Sequence, residues 1–172
     1  KALTFNPTAR AYSGLGMIYM RQNKFDLAIE TFNKAISLEP LISDFYNNRG
    51  LAYQYTNKID LALNDFTQAI KLNSSAYDAL LNRGVIYQDQ NELEKAFADY
   101  NQAVNAFPQN WKAYNNRGNI HNLRGDYDNA LKDFNKVMDL FPNQTSRFNR
   151  GLIYKNKKDF NAALKDFTDC VT

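Results

Sequence analysis

Apolar residues recur along this chain at helical spacing, in two short amphipathic stretches that return together as a pair. Tyr12, Leu15 and Tyr19 lie at i, i+3 and i+7, and Ile29, Phe32 and Ile36 follow the same face rule. Each stretch predicts a helix with one buried face. The segment Tyr46–Tyr53, YNNRGLAY, and its returning half Ala62–Ala69, ALNDFTQA, reappear 34 residues later as LLNRGVIY and AFADYNQA, then as YNNRGNIH and ALKDFNKV. A further shift, of 33, gives RFNRGLIY and ALKDFTDC, and one step back gives YSGLGMIY and AIETFNKA. A fixed period in this range signals an array in which each unit buries its apolar face only against its neighbours.

The punctuation agrees. Repeats fall near 9–42, 43–76, 77–110, 111–143 and 144–172. Between the halves of each, Asn23, Asn57, Asn91 and Gly125 share one slot, and these residue types tolerate the left-handed conformation that ends a helix. Lys158 holds that slot in the last repeat, at some energetic cost. Between repeats, Pro7, Pro40, Pro108 and Pro142 stop one helix and let the next begin, with Ser74 standing in once. Residues 1–7, KALTFNP, match the closing KAISLEP of Lys34–Pro40 and so predict the tail of a preceding truncated repeat. Without visible polar end caps, the chain is expected to be a fragment of a longer array. The fifth repeat is one residue short: either the turn after Pro142 is tighter or a residue is missing. Arg147 then occupies the slot of Tyr12, Tyr46, Leu80 and Tyr114, and Phe148 is displaced by one.

Small and large residues alternate at fixed offsets. Gly16, Gly50, Gly84, Gly118 and Gly151 are followed 12 residues on by an alanine, Ala28, Ala62, Ala96, Ala130 and Ala163. Then come Phe32, Phe66, Tyr100, Phe134 and Phe167, and the small residues Ala35, Ala69, Ala103, Val137 and Cys170. Glycine against alanine allows two helices to approach closely, and the rings fill the volume beside them. In these residues the chain resembles the tetratricopeptide repeat family over essentially its whole length. The resemblance implies an all-α fold, a right-handed superhelical α-solenoid of antiparallel helix pairs whose first helices line a concave groove. The departures are Tyr or Leu at the usual tryptophan position, His121 for tyrosine, and Arg for the usual aliphatic residue before the glycine.

That arginine has a counterpart. Arg49, Arg83, Arg117 and Arg150 occur in the same repeats as Asp65, Asp99, Asp133 and Asp166, whereas the first repeat has Leu15 and Thr31 in the two slots. Charge appears with charge and disappears with it. A partly buried bidentate pair between the helices of each repeat is expected, with a structural role.

Two residues before the glycine stand Asn48, Asn82, Asn116 and Asn149, at a position that the resemblance turns to the concave face. A primary amide offers donors and an acceptor together, so it can pair with a peptide group whatever side chain follows. This row resembles the asparagine ladder in the repeat domain of O-GlcNAc transferase and in the peroxisomal targeting-signal receptor, where it grips ligand backbone. Asparagine also simply tolerates a half-exposed helix surface. Leu51, Tyr55, Leu81, Val85, Phe148 and Leu152, with Met17 at one end, are expected on the same face, beside Lys112, Asn115 and Asn119. A clamp for the acidic C-termini of chaperones fits poorly: in the best frame, Asn47, Leu51, Asn82, Lys112 and Asn116, only Asn82 and Lys112 match that family pattern.

Composition narrows the rest. With 21 basic and 18 acidic residues the charge is near balance, and no basic run suggests nucleic acid. Apolar runs are too short for a membrane span. One cysteine, Cys170, forms no internal disulfide, which fits a reducing and hence cytoplasmic setting. The sequons at Asn73 and Asn143 fall in expected turns of an asparagine-rich chain and read as chance matches. A single histidine and a single cysteine supply neither a metal site nor a nucleophile–base pair, so no enzyme activity and no cofactor are expected. Trp111 is expected to pack on the turn that precedes it. The leading expectation is a scaffold binding a protein or peptide segment. A self-associating or spacing array, and a substrate-selecting arm of a larger enzyme, stand as alternatives.

Overall fold

The structure, a computed structural model, describes residues 8–171; the tail expected at 1–7 and Thr172 lie outside the described residues. Among the described residues there are ten helices and no strand: α1 Ala9–Arg21, α2 Phe25–Leu38, α3 Ser43–Tyr55, α4 Ile59–Leu72, α5 Tyr77–Asp89, α6 Leu93–Ala106, α7 Trp111–Leu123, α8 Tyr127–Leu140, α9 Gln144–Asn156 and α10 Phe160–Val171. They fall into two compact units, Lys1–Gln90 and Asn91–Thr172. In the first, α1 to α4 each pack on the next helix; in the second, α6 to α9 do the same.

The helices pair because their connections are short. The turns at 22–24, 56–58, 124–126 and 157–159 leave no room for anything but an antiparallel neighbour. Each turns on one left-handed residue: Asn23 and Asn57 at φ 57°, Gly125 at 73° and Lys158 at 65°. The residue after it donates back across the last helical turn, Lys24 to the Tyr19 carbonyl at 2.9 Å and Asp126 to the His121 carbonyl at 2.9 Å.

The glycines set how closely each pair approaches, and their partner is the aromatic ring rather than the alanine. A Cβ on Gly50 would lie 2.8 Å from a Phe66 ring carbon; on Gly16, 2.5 Å from Phe32; on Gly151, 2.6 Å from Phe167. Ala28, Ala62 and Ala130 are fully buried beside these rings and let the next helix close over them. Phe32, Phe66 and Phe134 are themselves fully buried. Cys170, in the corresponding small-residue slot, is only half-buried, and its Sγ lies 3.5 Å from the Gln144 carbonyl.

The short fifth repeat resolves in its turn. Residues 141–143 connect α8 to α9, where 107–110 connect α6 to α7. Gly151 sits as far into α9 as Gly118 into α7, so the missing residue belongs to the connection and the helix keeps its register. Arg147 therefore stands in the usual aromatic slot and donates from Nη1 to the Asp169 carbonyl at 3.1 Å. Asn143 makes the tight turn workable. Its Oδ1 caps α9 through the Ser146 amide at 2.9 Å, while its Nδ2 donates to the Phe141 carbonyl at 3.0 Å.

Candidate functional site

The arginines tie the first helices in place. Arg49 forks onto Asp65 from Nε at 2.7 Å and Nη2 at 2.6 Å; Arg117 onto Asp133 at 2.8 and 2.7 Å; Arg150 onto Asp166 at 2.8 and 2.6 Å. All three carboxylates are buried. Hydrogen bonding to the acid raises each guanidinium above its ordinary pKa, outweighing the opposite pull of burial. Arg83 belongs to the first unit and Asp99 to the second, so that pairing remains an expectation.

The sequence reading missed the third contact of each fork. Nη1 reaches back to the second helix of the preceding repeat: Arg49 to Asn33 at 2.6 Å, Arg83 to Thr67 at 3.0 Å, Arg117 to Asn101 at 2.8 Å and Arg150 to Asn135 at 2.9 Å. The signal was present, because the residue after the buried aromatic is Asn or Thr in each of those repeats. One face of the fork also meets tyrosine rings. Arg49 lies 5.6 Å from the Tyr46 centroid and 5.7 Å from Tyr53, Arg117 5.5 Å from Tyr114, and Arg150 5.9 Å from Tyr154.

Asn47, Asn48, Asn82, Asn115, Asn116 and Asn149 are half-buried. In the first unit Asn82 donates to Asn47 Oδ1 at 3.1 Å, and Asn47 donates to Asn48 Oδ1 at 3.4 Å, which links α3 to α5 through an amide chain. Asn48 keeps its NH2 and Asn82 its carbonyl for another partner. Around them Leu81 is buried at 8% exposure, Val85 is half-buried, and Leu51 packs on the cluster around Phe66. Tyr55 is 66% exposed, with its ring stacked on Phe25 at 4.9 Å.

In the second unit Asn115 donates to Asn116 Oδ1 at 3.3 Å, Asn119 is half-buried, and Lys112 is exposed. Asn149 makes no hydrogen bond to another described residue, and with Asn115 it lines a cleft of about 460 Å³ between α7 and α9. Trp111, Phe141, Asn143, Thr145 and Ser146 complete its wall. Trp111 stacks on Phe141, with ring centroids 5.0 Å apart and planes 12° from parallel. Its ring partner thus belongs to the turn after α8. Phe148 is half-exposed and leans on Phe167 at 5.5 Å.

His121 fills a tyrosine slot and is largely buried. It meets Phe97 edge-on at 5.1 Å, and its Nδ1 lies 3.2 Å from Asp126 Oδ2 without the alignment of a hydrogen bond. The Asp126 carboxyl is held below the usual carboxylate range, first by the Asn129 side-chain amide and less by His121. Among the described residues no group of three or more His, Cys, Asp or Glu side chains is placed to hold a metal ion. No helix among them is long and apolar enough to cross a membrane.

Comparison with known proteins agrees with this geometry. Tetratricopeptide repeat family profiles match residues 9–40, 47–110, 111–144 and 145–172. No curated protein sequence matches the chain. Among solved structures, MamA from Desulfovibrio magneticus RS-1 superposes with a TM-score of 0.83 at 18% identity, covering 95% of this chain and 93% of that one. Pseudomonas aeruginosa PilF gives 0.84 at 18%, covering 93% of this chain and 73% of that one. YrrB, described as a TPR protein with an unusual peptide-binding site, gives 0.78 at 20%, covering 96% and 86%. At such identities the likeness shows the fold.

Proposed function

This chain belongs to the tetratricopeptide repeat family, and from that premise we propose that it is a non-catalytic interaction module binding extended peptide segments along the first helices of the repeats within each unit. The observation that carries the reading is the set of half-exposed amides with bonding capacity left over. Asn48 retains donors, Asn82 an acceptor, and Asn149 its whole amide. Peptide groups are the ligands that such amides pair with regardless of side chain. First helices spaced about 8–10 Å apart meet a strand rising about 3.3 Å per residue once every few ligand residues. At roughly 0.5–1.5 kcal/mol net per hydrogen bond, amides alone do not overcome association costs. Apolar contacts add the remainder, at Val85 and Tyr55 in the first unit and in the cleft beside Asn149 in the second, for affinities around micromolar. A relative described as peptide-binding, YrrB, lends the reading further support.

Panning random displayed peptides on the chain tests it. Enriched peptides that bind the first unit should tolerate side-chain replacement but lose roughly tenfold in affinity to the Asn48→Ala/Asn82→Ala variant. Peptides that bind this variant as tightly as the parent chain would refute the groove.

A second reading, head-to-tail self-association, rests on uncovered apolar faces. Ile18 is 52% exposed in the slot where Ala52, Ile86, Ile120 and Ile153 are buried, and Leu164 on α10 is 67% exposed. Sedimentation over a hundredfold range of concentration decides it: a constant monomer mass removes this reading.

A further inference from the structure

The cleft between α7 and α9 has a chemistry that the amide row alone does not explain. One side is a stacked pair of rings, Trp111 on Phe141, and Phe141 remains about half-exposed. The lining also carries two amides: Asn149, unengaged by other described residues, and Asn115, whose carbonyl is still unused. Asn143 is fully committed to Ser146 and to the Phe141 carbonyl, so it shapes the wall rather than meeting a ligand. At about 460 Å³ the cleft has the size of a small-ligand pocket, enough for one apolar side chain and its flanking peptide groups.

Charge supplies the rest. Neither α7, WKAYNNRGNIHNL, nor α9, QTSRFNRGLIYKN, contains a carboxylate. Arg117 and Arg150 are spent on Asp133 and Asp166. Lys112, Arg147 and Lys155 remain on these two helices without an ion pair among the described residues, and exposed Lys112 is the immediate neighbour of Trp111. The first unit differs, because α3 and α5 carry Asp44, Asp78 and Asp89.

We propose that this cleft is a side-chain pocket for a proline, or a similarly compact apolar residue, in an extended peptide with acidic neighbours. The ring pair takes the apolar group, as aromatic-lined grooves take proline-rich segments. Asn149 and Asn115 pair with the flanking peptide groups, and Lys112 meets a carboxylate. The proposal rests on the peptide-binding reading above and adds to it the class of segment and the place where it anchors.

Trp111 is the only tryptophan, so its emission reports on the pocket directly. The probes are three blocked heptapeptides, DEPLPED, DEGSGED and KKPLPKK. DEPLPED should shift the Trp111 emission saturably, DEGSGED should not, and KKPLPKK should bind at least several-fold more weakly. Asn149→Ala should weaken DEPLPED about three- to tenfold. Lys112→Glu, an exposed change that leaves the fold intact, should reverse the order of DEPLPED and KKPLPKK. An unchanged emission with DEPLPED, or equal responses to all three probes, overturns the pocket. If panned peptides still depend on Asn48 and Asn82 in that case, the groove reading survives alone; if they bind nowhere, both fall.

Discussion

The arginine fork is where a single substitution says most. Its carboxylate partners are buried, so removing the cation alone strands a charge in a poorly solvated site. Arg117→Ala should cost about 3–5 kcal/mol in urea denaturation. Replacing both partners by the first repeat's own pair, as Arg117→Leu/Asp133→Thr, should recover most of that loss, since Leu15 and Thr31 fill the same slots without charge. A double variant as unstable as the single one would show that the pair contributes beyond mutual neutralisation. At Gly50 the reason for glycine is spatial. Gly50→Ala should destabilise by about 1–3 kcal/mol, because the added methyl meets the Phe66 ring at 2.8 Å. The tie between arginine and aspartate could be read from the sequence because the two types come and go together between repeats. The reach of Nη1 to Asn33 or Asn101 could not, since that bond joins neighbouring repeats and asparagine is common throughout the chain.

At the scale of the helix, the turns carry the testable strain. Lys158 holds a left-handed conformation at φ 65° where Gly125 does the same job without a side chain. Lys158→Gly should stabilise by about 1 kcal/mol, read as a shift in the denaturation midpoint. The α8 cap gives a prediction in pH. Asp126 caps the Asn129 amide, and its carboxyl titrates below the ordinary 3.8. A lowered carboxylate stabilises the fold above its unfolded pKa, and that contribution drains away as pH falls through the folded value. Carboxyl chemical shifts followed by NMR should place the Asp126 midpoint below 3.8. Helix number and turn positions were legible because each turn needs one residue that accepts positive φ, and asparagine and glycine recur there. The stacking of Trp111 on Phe141 was not legible. It joins the first residue of α7 to the residue that ends α8, 30 positions on, and no pattern within one repeat states that contact.

For the molecule as a whole, stability is a sum of local terms and nearest-neighbour contacts rather than one shared core. Amide hydrogen exchange should therefore be graded. The amides of α3, α4, α7 and α8, each packed by neighbours on two sides, should outlast those of α1 and α10 by tenfold or more. Uniform protection along the chain would instead indicate a single cooperative block. This dependence on neighbours also explains why the fold could be read more fully than the candidate site. The repeat states five times which residues face inward, but Leu81 and Phe148 hold the same slot, three before the glycine, one buried and the other half-exposed, and no periodic rule separates them.

The backward bond from each arginine gives the array a grammar. Arg49 needs an acceptor at position 33, Arg117 one at 101 and Arg150 one at 135, and each is supplied by the repeat before it. The first repeat offers Asn33 to its successor but asks for nothing in return, because Leu15 has no polar end. Transplanted to the middle, it would leave the preceding asparagine unanswered. The order of modules is thus written in side-chain chemistry, and shuffled versions of this chain should assemble less well than their individually sound repeats suggest.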